Sequence, residues 1–298
     1  MENECYLVCS RGILKLCDFF SESPKSSCNN DKDYLNKMLN NMFDGMTIYV
    51  CSDLLLFFFK NIFPKINKNF TLVSGDSDLC VPHEILSTEE ANNLINSPYL
   101  IKWFAQNTTI QNHHKIYQLP IGLDYHTISN NPNHKWKLPK EGYLPVQQEK
   151  ILFSILKNSK PFFLRIPKIY VNFTKGNDRF GDRKNSLASI PKNLLVINDK
   201  FVPRTINWIN IKNFTFVLSP FGNGMDCHRT WEALCLGSIP IIRAPRFKDL
   251  FKDLPVLIVN DWYEINQDLL INTIKIFQNT KFNYEKLNLE YWINKIKN

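Results

Sequence analysis

The stretch Phe216–Arg243 reads FVLSPFGNGMDCHRTWEALCLGSIPIIR, and the order of its residue types decides the fold. Phe216–Ser219 ends a short apolar run of the kind that forms a buried strand. Pro220–Gly224 carries one proline and two glycines, which mark a turn. The glycines also let backbone amides approach a ligand without Cβ interference. From about Asp226 to Leu236 the apolar residues recur at helical spacing, and Gly237 suits the position just past the helix end. Ile239–Ile242 is the next strand. Strand, glycine-bearing loop, helix and strand make one unit of a doubly wound sheet. In such a unit the free N–H groups and positive dipole end of the helix point back at the crevice, where a phosphate or diphosphate is well held.

On an ideal helix Trp231, Leu234 and Cys235 share the core-facing side, while Arg229 and Glu232 share the other with Asp226. Arg229 can neutralise phosphate oxygens. Glu232 can accept hydrogen bonds from both hydroxyls of a ribose, since both of its oxygens accept. The same spacing also suits an ordinary helix capped by Asp226 with an Arg229–Glu232 surface pair. Spacing alone leaves both readings open.

Outward from this segment the β-turn-α pattern continues. Lys168–Phe173 is a β-rich run, followed by a polar turn (Thr174–Arg183), a helix to about Ile190 and a short strand, Leu194–Ile197. Phe214–Ser219 and Pro255–Val259 are further strands. In the first half the expected strands are Cys5–Cys9, Thr47–Cys51, Phe70–Ser74, Leu100–Ala105 and Lys115–Pro120. Helices are expected at Asp33–Phe43, Leu54–Phe63 and Thr88–Ile95, the last with Ser87 as N-cap. The polar stretch Ser129–Gly142 places the crossing between halves, followed by a helix over Gln147–Asn158. The expected organisation is therefore α/β, with one unit over 1–145 and a second over 146–298.

Composition agrees with a globular chain. Of 298 residues, 44% are hydrophobic and 21% charged, enough apolar side chain for two cores, and 22 Phe make those cores aromatic-rich. The net charge of +8 favours anionic partners. No zinc-finger spacing, RGG tract or RNP-like strand accompanies it, so nucleic acid is not the expected partner. The eight cysteines show no CxxC pair and match no zinc module. The start MENECYLVCSRG carries acid where a signal peptide needs base, and the apolar run Leu54–Phe59 is far short of the ~20 residues of a membrane span. The expectation is a cytoplasmic chain with reduced thiols and no transmembrane segment.

The central segment closely resembles the signature of exostosin-like glycosyltransferases, glycosyltransferase family 47 and related xylosyltransferases. The matching residues are Ser219, Pro220, Gly222, Asn223, Gly224, Asp226, His228, Arg229, Trp231, Glu232, Ala233, Leu234, Gly237, Ile239 and Pro240. More loosely, Tyr170–Arg183 resembles the family's first donor-domain strand and loop, bringing Arg179 and Arg183 toward a diphosphate. Val73–Pro82, Lys102–Asn107 and Leu119–Thr127 resemble its acceptor-side strand ends. The resemblance covers most of residues 70–260. It implies a GT-B-like architecture: two Rossmann-like domains facing an interdomain cleft, the nucleotide-sugar held mainly by the C-terminal one. It also implies inverting transfer, with Glu232 on the ribose. One departure stands out: Phe221 occupies a position where many members have Arg.

Inverting transfer needs a base for the acceptor hydroxyl and positive surroundings for the departing diphosphate. Asp76, Asp78, His83, Asp124 and His126 lie at expected strand ends, with Asp76, Asp78 and Asp124 the base candidates retained. Any one of these aspartates could equally cap a helix or close a turn. Asp76-Ser77-Asp78 also spells a DxD, the Mn²⁺ ligand pattern of another glycosyltransferase fold. The C-terminal segment points to a fold that usually needs no metal, so no Mn²⁺ or Mg²⁺ and no cofactor is expected. The donor residues are Gly222, Asn223, Gly224, Asp226, His228, Arg229, Glu232, Arg183 and Arg179. The expected activity is transfer of a sugar from a nucleotide-sugar, a UDP-sugar above all, to a glycan or glycoprotein acceptor. Two alternatives stay open: a non-catalytic nucleotide- or glycan-binding protein, favoured by Phe221, and a nucleic-acid base glycosyltransferase, which would account for the charge.

Overall fold

The computed structural model describes residues 1–21, 33–136, 142–173, 176–198, 200–243 and 247–298. Cys28, part of the crossing at Ser129–Gly142 and the first two residues of the turn Thr174–Arg183 lie outside them. The chain is mixed α/β with two parallel sheets. The first holds β1 (Met46–Cys51), β2 (Phe70–Gly75), β3 (Leu100–Ala105) and β4 (Ile116–Gln118), side by side in chain order. β1 and β2 are buried along their whole length, as expected of parallel strands covered on both faces. The second holds β5 (Ile166–Val171), β6 (Leu195–Ile197), β7 (Phe214–Leu218), β8 (Ile239–Ile242) and β9 (Leu257–Ile258) in the order β6-β5-β7-β8-β9. The chain builds outward on one side of β5 and then returns to build on the other. β5 and β7 therefore flank a topological switch point, and the crevice beyond their carboxyl ends is where doubly wound sheets bind ligands.

Twelve α-helical segments are described: α1 (Ser10–Leu16), α2 (Asp33–Asn41), α3 (Leu55–Phe57), α4 (Thr88–Ile95), α5 (His126–Asn130), α6 (Pro145–Leu156), α7 (Asp182–Ser189), α8 (Arg204–Ile211), α9 (His228–Cys235), α10 (Lys248–Phe251), α11 (Gln267–Gln278) and α12 (Leu289–Lys297). α4 follows its sequence signal: Ser87 Oγ accepts from the Glu90 N–H, and the Glu90 carboxylate accepts from the Ser87 N–H. α9 ends as expected, with Gly237 at φ +72°. Two expectations fail. The helix at Leu54–Phe63 is broken into 3₁₀, α and π turns over Ser52–Lys65, where the aromatic run and Pro64 leave no regular repeat. The strand at Cys5–Cys9 reduces to isolated bridges: Leu7 with Asn288, and Cys9 with Gly122 and Leu123.

Three apolar clusters form the core. One lies within the first half around Ile48, Phe58, Leu72 and Trp103, and one in the second around Ile169, Phe216 and Trp262. The largest joins the halves, with Phe104 and Tyr125 on one side and Trp208, Trp231 and Trp292 on the other. The carboxyl edges of the two sheets face each other across it. Ile121 beyond β4 donates its N–H to Asp226 Oδ2 at 2.8 Å, Asn107 beyond β3 accepts from the Asp226 N–H at 2.9 Å, and Leu250 donates to Gln118 at 3.0 Å.

Gly122 is required at this seam. Its φ is +63°, and a Cβ there would stand 2.4 Å from the Val8 carbonyl oxygen. Left-handed strain and a backbone clash act together, so Gly122→Ala is expected to destabilise the fold by about 2 kcal/mol. A lowered urea midpoint checks this.

Candidate functional site

Two arginines converge at the switch point. Arg183, on α7, and Arg229, on α9, both lie over the Phe173 ring beyond β5, at 5.5 and 5.1 Å from its centroid. Such stacking holds a guanidinium plane in place while leaving its edge donors usable. Arg229 also reaches the Pro220 carbonyl at 3.4 Å, and no carboxylate pairs with it among the described residues. Burial, with the adjacent Arg183 charge, pulls Arg229 down to about 10; it stays a cation at neutral pH. Burial also lowers Arg183. Asp178 and Asp78 lie within electrostatic reach of Arg183, while Arg229 is less compensated; a diphosphate would offset the repulsion between the two cations.

The loop beyond β7 packs under these arginines. Gly222 lies close under Arg183, and a Cβ there would fall 2.6 Å from Arg183 Nη2 and push that guanidinium aside. Two of the loop's four amides are used internally. The Phe221 N–H donates to Asp182 Oδ2 at 2.9 Å, and the Gly222 N–H to the Gly224 carbonyl at 3.0 Å. Two amides of the expected cradle, those of Phe221 and Gly222, are thus spent within the structure, while those of Asn223 and Gly224 donate to no described residue. Asn223 is exposed at the loop tip, and Phe221 packs edge-on to Phe180 with ring centroids 5.8 Å apart. Asp182, which the sequence did not single out, anchors this corner: Oδ1 accepts from Arg243 Nε and Trp262 Nε1, both at 2.8 Å.

Two expected donor residues sit otherwise than the helix wheel suggested. Asp226 neither caps α9 nor faces the crevice. The N-cap is Cys227, and the Asp226 carboxylate accepts from Ile121 N–H and, through both oxygens, from Trp231 Nε1 at 3.0 Å. Burial pushes it up to about 6. Its work is joining the halves. Arg179 bonds Glu84 of the first half at 2.6 Å instead of turning toward Arg183.

Glu232 is only 8% exposed and forms no surface pair with Arg229. Its Oε1 accepts from Trp208 Nε1 at 3.0 Å, with Arg204 Nε 3.9 Å away. These contacts hold its rotamer, and Oε2 takes no hydrogen bond among the described residues. Both partners come from α8, a helix the sequence reading missed. His228 Nδ1 lies 2.7 Å from the Gly122 carbonyl. A carbonyl only accepts, so Nδ1 carries hydrogen and Nε2 is the nitrogen left for other partners.

The three base candidates separate sharply. Asp124 is locked: Oδ2 lies 3.2 Å from Arg204 Nη2, and Oδ1 accepts from the Thr127 N–H at 3.0 Å and lies 3.4 Å from His126 Nδ1. Burial opposes its charge, yet these neighbours hold it far below the usual carboxylate range. Burial, with Arg11 adding, pushes His126 down to about 4, so at neutral pH Arg204 carries that stabilisation. Asp124 is therefore a structural anion and a poor proton acceptor. Asp78 is exposed, its Oδ1 against the Gly224 backbone.

Asp76 differs from both. Its backbone is in the left-handed region, φ +53°, a strained placement for an aspartate, and its side chain is buried. Its Oδ2 lies 3.5 Å from Arg11 Nη2, too long for a good hydrogen bond, and accepts none from the described residues. Burial pushes it up to about 6 against the pull of Arg11. An unbonded carboxylate oxygen with a proton affinity near neutrality suits general base work. Arg11 was invisible to local pattern because it sits in α1, far along the chain from Asp76. His83 bonds Thr109 Oγ1 through Nδ1 and is exposed. Among the described residues no group of three or more His, Cys, Asp or Glu could hold a metal ion, and no helix is long and apolar enough to cross a membrane.

No protein-family model matches this sequence, and no curated protein matches it. Among solved structures, the N-terminal domain of trehalose-6-phosphate phosphatase from Candida albicans is similar at a TM-score of 0.35 and 12% identity, over 89% of this chain and 69% of that one. A likeness of that size carries no argument about fold family or chemistry.

Proposed function

We propose that the chain is a GT-B-like, inverting glycosyltransferase that moves a sugar from a nucleotide-sugar, a UDP-sugar above all, to a glycan or glycoprotein acceptor. The observation that carries this reading is the pair Arg183 and Arg229, both stacked on Phe173 at the β5/β7 switch point with Glu232 one helical turn beyond Arg229. The arginines would hold the diphosphate and the free Oε2 of Glu232 a ribose hydroxyl. Asp76 would take the proton of the acceptor hydroxyl as its oxygen attacks the anomeric carbon. The nucleoside diphosphate leaves from the opposite face, its charge met by the two arginines. Asp76 is 6% exposed, so acceptor entry requires the facing sheet edges to part, beginning with the Arg179–Glu84 pair at their rim.

The test is a thermal-shift panel of UDP-, GDP- and CMP-sugars with and without Mn²⁺, followed by detection of released nucleotide. Stabilisation by one nucleotide-sugar together with nucleotide release supports transfer. Stabilisation without release by any acceptor supports a binding protein on the same scaffold, the reading that Phe221 favours. No shift with any of them overturns both. Arg229→Ala is expected to weaken UDP binding about 10- to 100-fold, the loss of a charge-assisted contact to phosphate. Calorimetric titration reads this directly, and an unchanged Kd would remove Arg229 from the site.

A further inference from the structure

A second concave surface lies at the opposite end of the first sheet. It is a cavity of about 640 Å³ between the exposed face of α4 and the turn at Phe63–Ile66, floored by Ser97–Tyr99. Phe63 and Tyr99 precede β2 and β3, so the cavity sits at the amino edge of the sheet. Asp76 lies just past the carboxyl end of the six-residue β2, roughly 20 Å away along the strand. The two places share no residue.

The lining has a particular chemistry. Ala91, Leu94 and Ile95 of α4 are buried against the core, which leaves Glu89, Asn92, Asn93 and Asn96 on the outer face at i, i+3, i+4 and i+7. Neighbours at that spacing stand about 5–6 Å apart, close to the repeat of a pyranose in an extended chain. Each carboxamide offers two donors and an acceptor, which matches hydroxyls that both donate and accept. Tyr99, 37% exposed, supplies a ring face for the apolar C–H face of a sugar, and Phe63, stacked on Phe59 at 5.5 Å, lines the same cavity. Glu89 is the only charged residue among those lining the cavity, and the neighbouring Glu90 is drawn to Lys60 at 4.0 Å. No lysine or arginine lines the cavity, and the carboxamides have no use for a purely apolar ligand.

We infer that this groove is a binding site for a neutral oligosaccharide, separate from the switch-point site. The inference does not rest on transferase activity, and its test is direct binding. Cellohexaose, xylohexaose and N-acetylchitohexaose are titrated into ¹⁵N-labelled full chain. At least one is expected to bind, with shifts centred on the Asn92, Asn93 and Asn96 side-chain amides. Tyr99→Ala is expected to weaken it about three- to tenfold, the worth of one ring contact. The double change Asn92→Ala with Asn96→Ala should do at least as much, and UDP affinity should be unchanged in both variants. These side chains are exposed, and a circular dichroism spectrum checks that each variant is folded. Failure of all three sugars to bind, or equal binding by wild type and both variants, overturns the inference.

Discussion

Asp76→Asn is expected to lower sugar transfer by about 10²- to 10⁴-fold while UDP affinity stays at its wild-type value, because the change removes a proton acceptor and no donor contact. The asparagine keeps the shape and can face Arg11, whose guanidinium then lies 3.5 Å from a neutral group in place of a carboxylate. The pH dependence follows from burial having pushed Asp76 up to about 6. The base works only when deprotonated, so kcat/KM of the wild type should fall as pH drops below about 6 and level off above it. In Asp76→Asn that limb should disappear from the residual rate. A variant that keeps wild-type transfer, or an acid limb unmoved by the substitution, would assign the proton to another group. Asp78→Asn is the matched control and should change the rate little, since Asp78 is exposed.

Arg204→Ala should be the most destabilising single change at the interface, about 3–5 kcal/mol, because it strands two buried carboxylates at once. Arg204 lies 3.2 Å from Asp124 and 3.9 Å from Glu232, and it also donates to Gln148 at 3.1 Å. Its guanidinium sits over the Trp136 ring at 4.6 Å and near Trp208 at 5.8 Å, so truncation opens a void beside two indoles as well. The melting temperature should drop by roughly 10 °C. In an Asp124→Asn background the same truncation should cost clearly less, since one stranded charge is already gone. Equal losses in both backgrounds would show that Arg204 acts by packing alone.

Much of the switch-point unit of the second sheet was legible from sequence because its signals are local. A strand, a turn with Gly222 and Gly224, and a helix stopped by Gly237 lie within one short segment, as does the Ser87–Glu90 box at the start of α4. What was not legible depends on distant partners. Nothing near Asp124 in the chain announces Arg204, so a carboxylate at a strand end looked available when it is already paired. Asp226 looked like a cap because the segment alone does not show the Ile121 N–H coming from the other sheet. Glu232 was placed on the outer face of an ideal helix, yet α8 covers that face with Trp208. α8 itself was missed: RTINWINI is short, and its apolar face is interrupted by asparagines. At Cys5–Cys9 the composition favours a strand, but the neighbours available give only single bridges.

The meeting of Leu7 with Asn288 has a consequence for the order of assembly in time. Val8 donates to the Leu287 carbonyl at 2.8 Å, Leu289 donates to the Tyr6 carbonyl at 2.8 Å, and α12 packs on α1. Leu7, Val8 and Ile13 share one buried apolar cluster with Leu287, Leu289 and Trp292. On a ribosome, the segment around α1 emerges before α12 and must wait, with part of its apolar surface unmatched, for a helix translated much later. Final closure of the shared core thus waits on α12, and α1, which carries Arg11 to Asp76, is seated only once that later segment has been made.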